Sequence, residues 1–214
     1  MNGWLDSFLI LLVLTNIYLL GSSRLGMCTR VVALQGVILA ATTLLTHSDA
    51  ITLRVGLLAL ASIVLKGVAF PWLLTRAMRD AEVRREIEPL IGYIPSILLG
   101  VVVLGLSLWI SGRLPLHEHH VSTLVVPVAL STILTGLILI IGRKKALTQA
   151  LGYLVMENGI FALGTALVQK QPMLVEMGVL LDVFFAVFVF GITIFHINRE
   201  FNHIDTDRLA SLKD

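Results

Sequence analysis

Apolar stretches long enough to cross a membrane recur along the whole chain, and most of its charged residues fall between them. Crossing about 30 Å of hydrocarbon at 1.5 Å per residue takes roughly 20 residues. Stretches meeting that need run over 4–21, 29–46, 51–75, 91–111, 121–141, 148–168 and 173–197. Backbone in lipid must satisfy its N–H and C=O groups internally, and within one apolar segment only a helix does so. The expected fold class is therefore all-α, a polytopic transmembrane helix bundle of about seven spans. Composition agrees, with 57% apolar and 14% charged residues and a mean hydropathy of +0.91, against about a quarter charged in soluble domains. The first stretch is followed by Gly21, Ser22 and Ser23, as a secretory signal would be. Its amino end carries Asp6 and no Lys or Arg, whereas such signals need a basic start, so it reads as a true span.

Lys and Arg concentrate in cytoplasmic loops, and here they alternate. One side receives Arg24 and Arg30, then Arg76, Arg79, Arg84 and Arg85, then Arg143, Lys144 and Lys145, then Arg199, Arg208 and Lys213; the other receives Arg113 and Lys170. This predicts an amino terminus outside and a cytoplasmic carboxyl tail. Residues 1–111 then form a four-span region, 112–197 a three-span region and 198–214 the tail. Between spans three and four, Arg76 to Pro89 reads as a helix outside the membrane, with Asp80 and Arg84 spaced i,i+4 and Glu82 and Arg85 i,i+3. The basic residues are spread over several loops rather than gathered on one face, so nothing points to nucleic acid.

Cysteine usage excludes much redox chemistry, because iron–sulfur clusters need about four thiolates and structural zinc sites several, and Cys28 is the sole cysteine. His117, Glu118, His119 and His120 are adjacent on a short loop and lack the split spacing of zinc ligands. No metal or cofactor is expected, and no catalytic residue. Gly92, Ser96 and Gly100 repeat every fourth position on the fourth span, a stripe that lets a neighbouring helix approach closely.

Charges inside spans are the strongest functional signal. Each costs about 2.5–3.5 kcal/mol near the membrane centre, while a large apolar residue returns about 0.3–0.6. Arg54 is near enough to a span end to snorkel. Lys66 lies somewhat cytoplasmic of the middle of span three, Glu157 near the middle of span six and Asp182 near that of span seven. Tyr153 and Glu157 share a helix face, with Asn158 adjacent, so the phenol can reach the carboxyl. Gly178 lies one turn before Asp182, leaving space beside it. Lys66 is followed by Gly67 and Pro71, and proline favours a kink in which water can enter. Burial favours a neutral carboxyl and a nearby ammonium a charged one; groups held between those tendencies exchange protons. Simple pairing of one carboxyl with Lys66, to hold helices together, stays open beside that reading.

The run from Gly142 to Gly159 (GRKKALTQALGYLVMENG), followed by Val175 to Ala186 (VEMGVLLDVFFA), resembles hydrogenase-4 membrane component E. The resemblance covers the whole chain, including Lys66 before Pro71 and the tail from Asp207 to Lys213. The last three spans also look like the K subunit of respiratory complex I and the C subunit of multisubunit sodium/proton antiporters. This implies a non-catalytic subunit in the membrane arm of a complex I-like assembly in a prokaryotic plasma (inner) membrane. Its implied partners are antiporter-like membrane subunits and a hydrogenase-type peripheral arm, with the nickel and iron–sulfur chemistry on other chains. In the complex I subunit two successive helices each carry a glutamate of the proton path. Here Leu154 occupies the place of the first, with Glu157 one turn later, and Asp182 lies about one turn before the place of the second. Glu157, Asp182 and Lys66 are thus the expected proton-relay residues, supported by Tyr153, Asn158, Gly178 and Pro71. A sodium/proton antiporter subunit and a purely structural membrane spacer are the alternatives.

Overall fold

A computed structural model describes residues 3–46, 60, 63–80, 89–114 and 122–167. Every regular element among them is helical: α1 (Gly3–Gly21), α2 (Leu25–Thr46), a π-helical turn (Leu65–Ala69) that runs into α3 (Phe70–Asp80), α4 (Tyr93–Ser111), α5 (Val125–Gly142) and α6 (Ala146–Leu167). Three of them, α1, α4 and α5, have the length and hydropathy of membrane spans and fall on the expected stretches 4–21, 91–111 and 121–141. At 22 residues each, α2 and α6 are longer, but they carry buried Gln35, Glu157 and Asn158. They sit at the expected 29–46 and 148–168. The described residues are all-helical, the protein is a membrane protein, and its exposed side chains suit lipid: Ile94, Leu98, Val102 and Trp109 on α4, Ile10 and Leu14 on α1. Span 173–197, most of 51–75, the connector beyond Asp80, the histidine-rich loop and the tail lie outside the described residues.

Small residues set the closest helix contact. A Cβ added at Gly136 of α5 would lie 2.5 Å from the Met156 backbone N of α6, one at Gly152 2.9 Å from Gly136 O, and one at Gly159 2.6 Å from Ile133 N. Without a hydrophobic driving force between helices in lipid, such backbone approach supplies the packing. The stripe on α4 works similarly: Ser96 and Gly100 are buried, and Gly100 lies under Leu20 of α1. Gly92 is exposed at the helix start and accepts a 2.8 Å bond from Ser96 Oγ.

Periodicity places a polar layer between two apolar clusters. One cluster joins Leu5, Leu9, Leu12, Leu39, Val128, Ala129 and Ala162; the other includes Leu19, Leu20, Val32, Leu139, Leu151, Leu154 and Val155. One helical turn separates each helix's apolar residues from a buried polar one: Leu12, Asn16 and Leu20 on α1, Leu39 and Gln35 on α2, Val128 and Thr132 on α5, Ala162 and Asn158 on α6. Four helices therefore contribute polar side chains at one level.

Arg143 stands just beyond α5, in the connection where the sequence placed it, but is 1% exposed. Its Nη2 donates to Leu20 O at 2.6 Å and its Nη1 to Ile91 O at 3.3 Å, with the guanidinium 4.6 Å from the Tyr93 ring centroid. The last turn of α1 leaves carbonyls without helical partners, and a five-donor fork can serve that end and a neighbouring strand of chain together.

Gly136→Ala and Gly152→Ala should each destabilise the fold by about 1–3 kcal/mol through overpacking. Gly26→Ala, where an added Cβ meets nothing within 4 Å, should be close to neutral. Thermal unfolding in detergent, monitored by circular dichroism, checks the contrast.

Candidate functional site

The site begins with a proline. Pro71 has no N–H to give and its ring crowds the carbonyl four residues back. Directly before it the helix widens into the π turn, in which Phe70 N–H bonds Leu65 O, five residues earlier. The kink expected at Pro71 thus takes the form of a local change of register, and Lys66 lies within it. The lysine stem crosses α2 at Gly36, where an added Cβ would stand 2.9 Å from both Lys66 Cβ and Cδ. Gly67 likewise meets Val37, at 3.0 Å from its own added Cβ. Two glycines therefore allow the charged residue to lie flat between helices.

From that slot Lys66 Nζ donates to Glu157 Oε1 at 2.7 Å and to Asn158 Oδ1 at 3.3 Å, and it lies 5.3 Å from the Phe161 ring centroid. Lys66, Glu157 and Asn158 are 7%, 3% and 2% exposed. Asn158 Nδ2 in turn donates to Val32 O at 3.4 Å, so the pair joins the π turn to α6 and α6 to α2. Desolvating two charges costs several kcal/mol per ion and is offset only by close geometry with added hydrogen bonds. Oε1 has both. Oε2 of the same carboxyl is buried and has no hydrogen-bond partner. Beside the pair, a cavity of about 10 Å³ is lined by Thr29, Val32, Lys66, Pro71, Leu154 and Asn158, among others, close to the lower bound for one water molecule.

The structure brings together Lys66, Glu157, Asn158 and Pro71. Tyr153 is half-buried against the cluster below. Leu154 lines the cavity. Asp182 and Gly178 lie outside the described residues.

Sequence reasoning missed a second polar chain. Asn16 Nδ2 donates to Thr132 Oγ1 at 2.8 Å, and Gln35 Nε2 donates to Asn16 Oδ1 at 3.0 Å and Thr15 Oγ1 at 2.7 Å. The available signal was an amide in each of two otherwise apolar spans, which needs a partner helix as a charge does.

A lipid-compatible helix bundle enclosing a lysine–carboxylate pair defines a polytopic membrane protein with a buried polar centre. Over 207 residues, 95% of this chain and 93% of the relative, it is 34% identical to uncharacterized protein Rv0085 of Mycobacterium tuberculosis, and the chain belongs to that protein's family. It is also 28% identical to hydrogenase-4 component E of Escherichia coli K12 over 153 residues, 72% of this chain and 71% of that protein. The same figures hold for hydrogenase-4 component E of Shigella flexneri. No family model matches the chain, and no solved structure matches it significantly.

The slot at Gly36 yields a direct expectation. Gly36→Val should displace the Lys66 stem and destabilise the fold by at least about 1–3 kcal/mol, and Lys66→Ala should relieve part of that clash. Unfolding midpoints of the two single variants and the double variant check this; strictly additive losses would show that the stem does not lie there.

Proposed function

We propose that this chain is a non-catalytic membrane-arm subunit of a hydrogenase-type, complex I-like assembly and that its buried carboxyls relay protons there. The single observation that carries the reading is the Glu157 carboxyl, with one oxygen held by Lys66 at 2.7 Å and the other buried without a partner. A carboxyl in that state has a site ready to take up a proton. Transfer of a proton from Nζ to Oε1 converts the ion pair into a neutral pair; alternatively, a proton arriving on Oε2 of the ion pair neutralises the carboxylate and releases the Lys66 ammonium with its charge intact. Similarity to hydrogenase-4 component E supports placing that chemistry beside antiporter-like membrane subunits and a hydrogenase-type peripheral arm. On this reading the chain crosses a prokaryotic inner membrane about seven times, with its amino terminus outside, and Asp182 is the second relay carboxyl.

The ion pair itself favours one other reading, a structural spacer in which Lys66 and Glu157 only fix helix contacts. Substitution separates the two. Glu157→Gln keeps shape and hydrogen bonding but removes titration, so the complex should assemble while coupled proton movement into reconstituted vesicles is lost; Asp182→Asn should behave alike. Lys66→Met leaves a buried partner unpaired and should cost roughly 3–5 kcal/mol of stability. Loss of assembly in all three variants, or unchanged proton movement in a well-assembled Glu157→Gln, Asp182→Asn double variant, would remove the relay.

Topology has its own check. A cysteine introduced at Ser122 should react with a membrane-impermeant maleimide in intact cells and one at Ser211 should not; the opposite pattern reverses the orientation.

A further inference from the structure

Two buried acceptors in the polar layer lack a donor: Glu157 Oε2 and Gln35 Oε1. The orientation of the Gln35 amide follows from its neighbours. Thr132 Oγ1 donates to Val128 O at 2.8 Å, so toward Asn16 it can only accept, and Asn16 must present its NH2 group there. Asn16 Oδ1 then faces Gln35. Thr15 Oγ1 spends its proton on Leu12 O at 2.8 Å and also needs a donor. Gln35 Nε2 serves both oxygens, and its Oε1 is left pointing away as an acceptor by necessity. Gln35 is 0% exposed, so bulk water does not satisfy that oxygen.

Both acceptors belong to the same level of the bundle. Gln35 lies one turn from Leu39 on α2 and Asn158 one turn from Ala162 on α6, and Leu39 and Ala162 share one apolar cluster. The Lys66 stem crosses Gly36, the residue after Gln35, and Asn158 bonds Val32, one turn before it. Lys66 is the charged group bonded to Glu157, and Tyr153 lies one turn before it on α6; α1, α2 and α5 present Asn16, Gln35 and Thr132 to the layer. Two acceptors cannot bond each other, and leaving both without a donor costs about 1–3 kcal/mol each. A donor between them removes both penalties.

We propose that Gln35 is the positioning residue of the Glu157 carboxyl: its Oε1 accepts, through one bridging water, the hydrogen bond that Oε2 donates whenever Oε2 carries a proton. The inference rests on the proton-exchange reading of Glu157 given above and extends it toward α1 and α5. The proton arrives on Oε2, the water accepts its hydrogen bond and donates one of its own to Gln35 Oε1, and the bonds from Gln35 Nε2 to Thr15 Oγ1 and Asn16 Oδ1 keep Oε1 aimed.

Infrared difference spectroscopy of the full chain in lipid nanodiscs tests this. The protonated Glu157 C=O band is identified by its loss in Glu157→Gln. In Gln35→Met the band should move to higher wavenumber, as a carbonyl does when its acid loses a hydrogen-bond acceptor. Thr132→Val, which breaks the same chain at its far end, should leave the band in place. Gln35→Asn keeps an amide but retracts it by one methylene; it should shift the band in the same direction, and it serves where the methionine variant fails to accumulate. A Glu157 band that titrates but does not move in either Gln35 variant, or that moves equally in Thr132→Val, overturns the role of Gln35 alone. Absence of any protonated Glu157 band at all accessible pH values overturns both this role and the proton-exchange reading.

Discussion

An ammonium and a carboxylate placed among apolar helices must find each other, and much of the interior can be read as the means by which Lys66 and Glu157 do so at 2.7 Å. Neither charge is tolerable alone when so buried. Pro71 forces the register change that carries Lys66, Gly36 gives its stem a bed, and Asn158 ties the carboxylate's helix to α2 through Val32 O. The pairing is therefore also a topological statement, because it joins residues 91 positions apart in the chain.

The pair is part of a wider layer. Above it Leu12, Leu39, Val128 and Ala162 close one apolar cluster, and below it Leu20, Val32, Leu154 and Val155 belong to another. Polar side chains at this level pack against each other across α1, α2, α5 and α6 and so cannot slide along their helices without losing hydrogen bonds in a medium that offers no replacements. The layer fixes the relative heights of helices that smooth apolar surfaces would leave less defined. On the proposed reading the same feature has a chemical use, since mutually bonded groups with two unfilled acceptors would rearrange with the arrival of one proton.

Much of this was legible in the residues. Apolar length marked α1, α4 and α5; charge in the wrong solvent marked Lys66 and Glu157; spacing of small residues marked the burial of Ser96 and Gly100 on α4. What escaped has physical reasons. Hydrogen-bond register is not written in residue types, so Pro71 announced a disturbance but not a π turn. Arg143 stands in a Gly-Arg-Lys-Lys run that reads as solvent-facing, and only the meeting of Leu20 O and Ile91 O reveals it as a buried clamp. Asn16, Gln35 and Thr132 carry no charge and appear singly on separate spans, so their joint role exists only once the helices are packed. Asp182 was as conspicuous in the sequence as Glu157 and lies outside the described residues.

If the bundle is organised by the buried ion pair, the energies of its two members must be coupled. A double-mutant cycle built from Lys66→Met, Glu157→Gln and the combined variant, read by unfolding of the protein in lipid or mild detergent, measures that coupling. The account predicts an interaction energy toward the upper end of about 0.5–3 kcal/mol, with the double variant more stable than the Lys66→Met single variant. Additive losses within about 0.3 kcal/mol would contradict it, because two groups that do not sense each other's removal are not a pair.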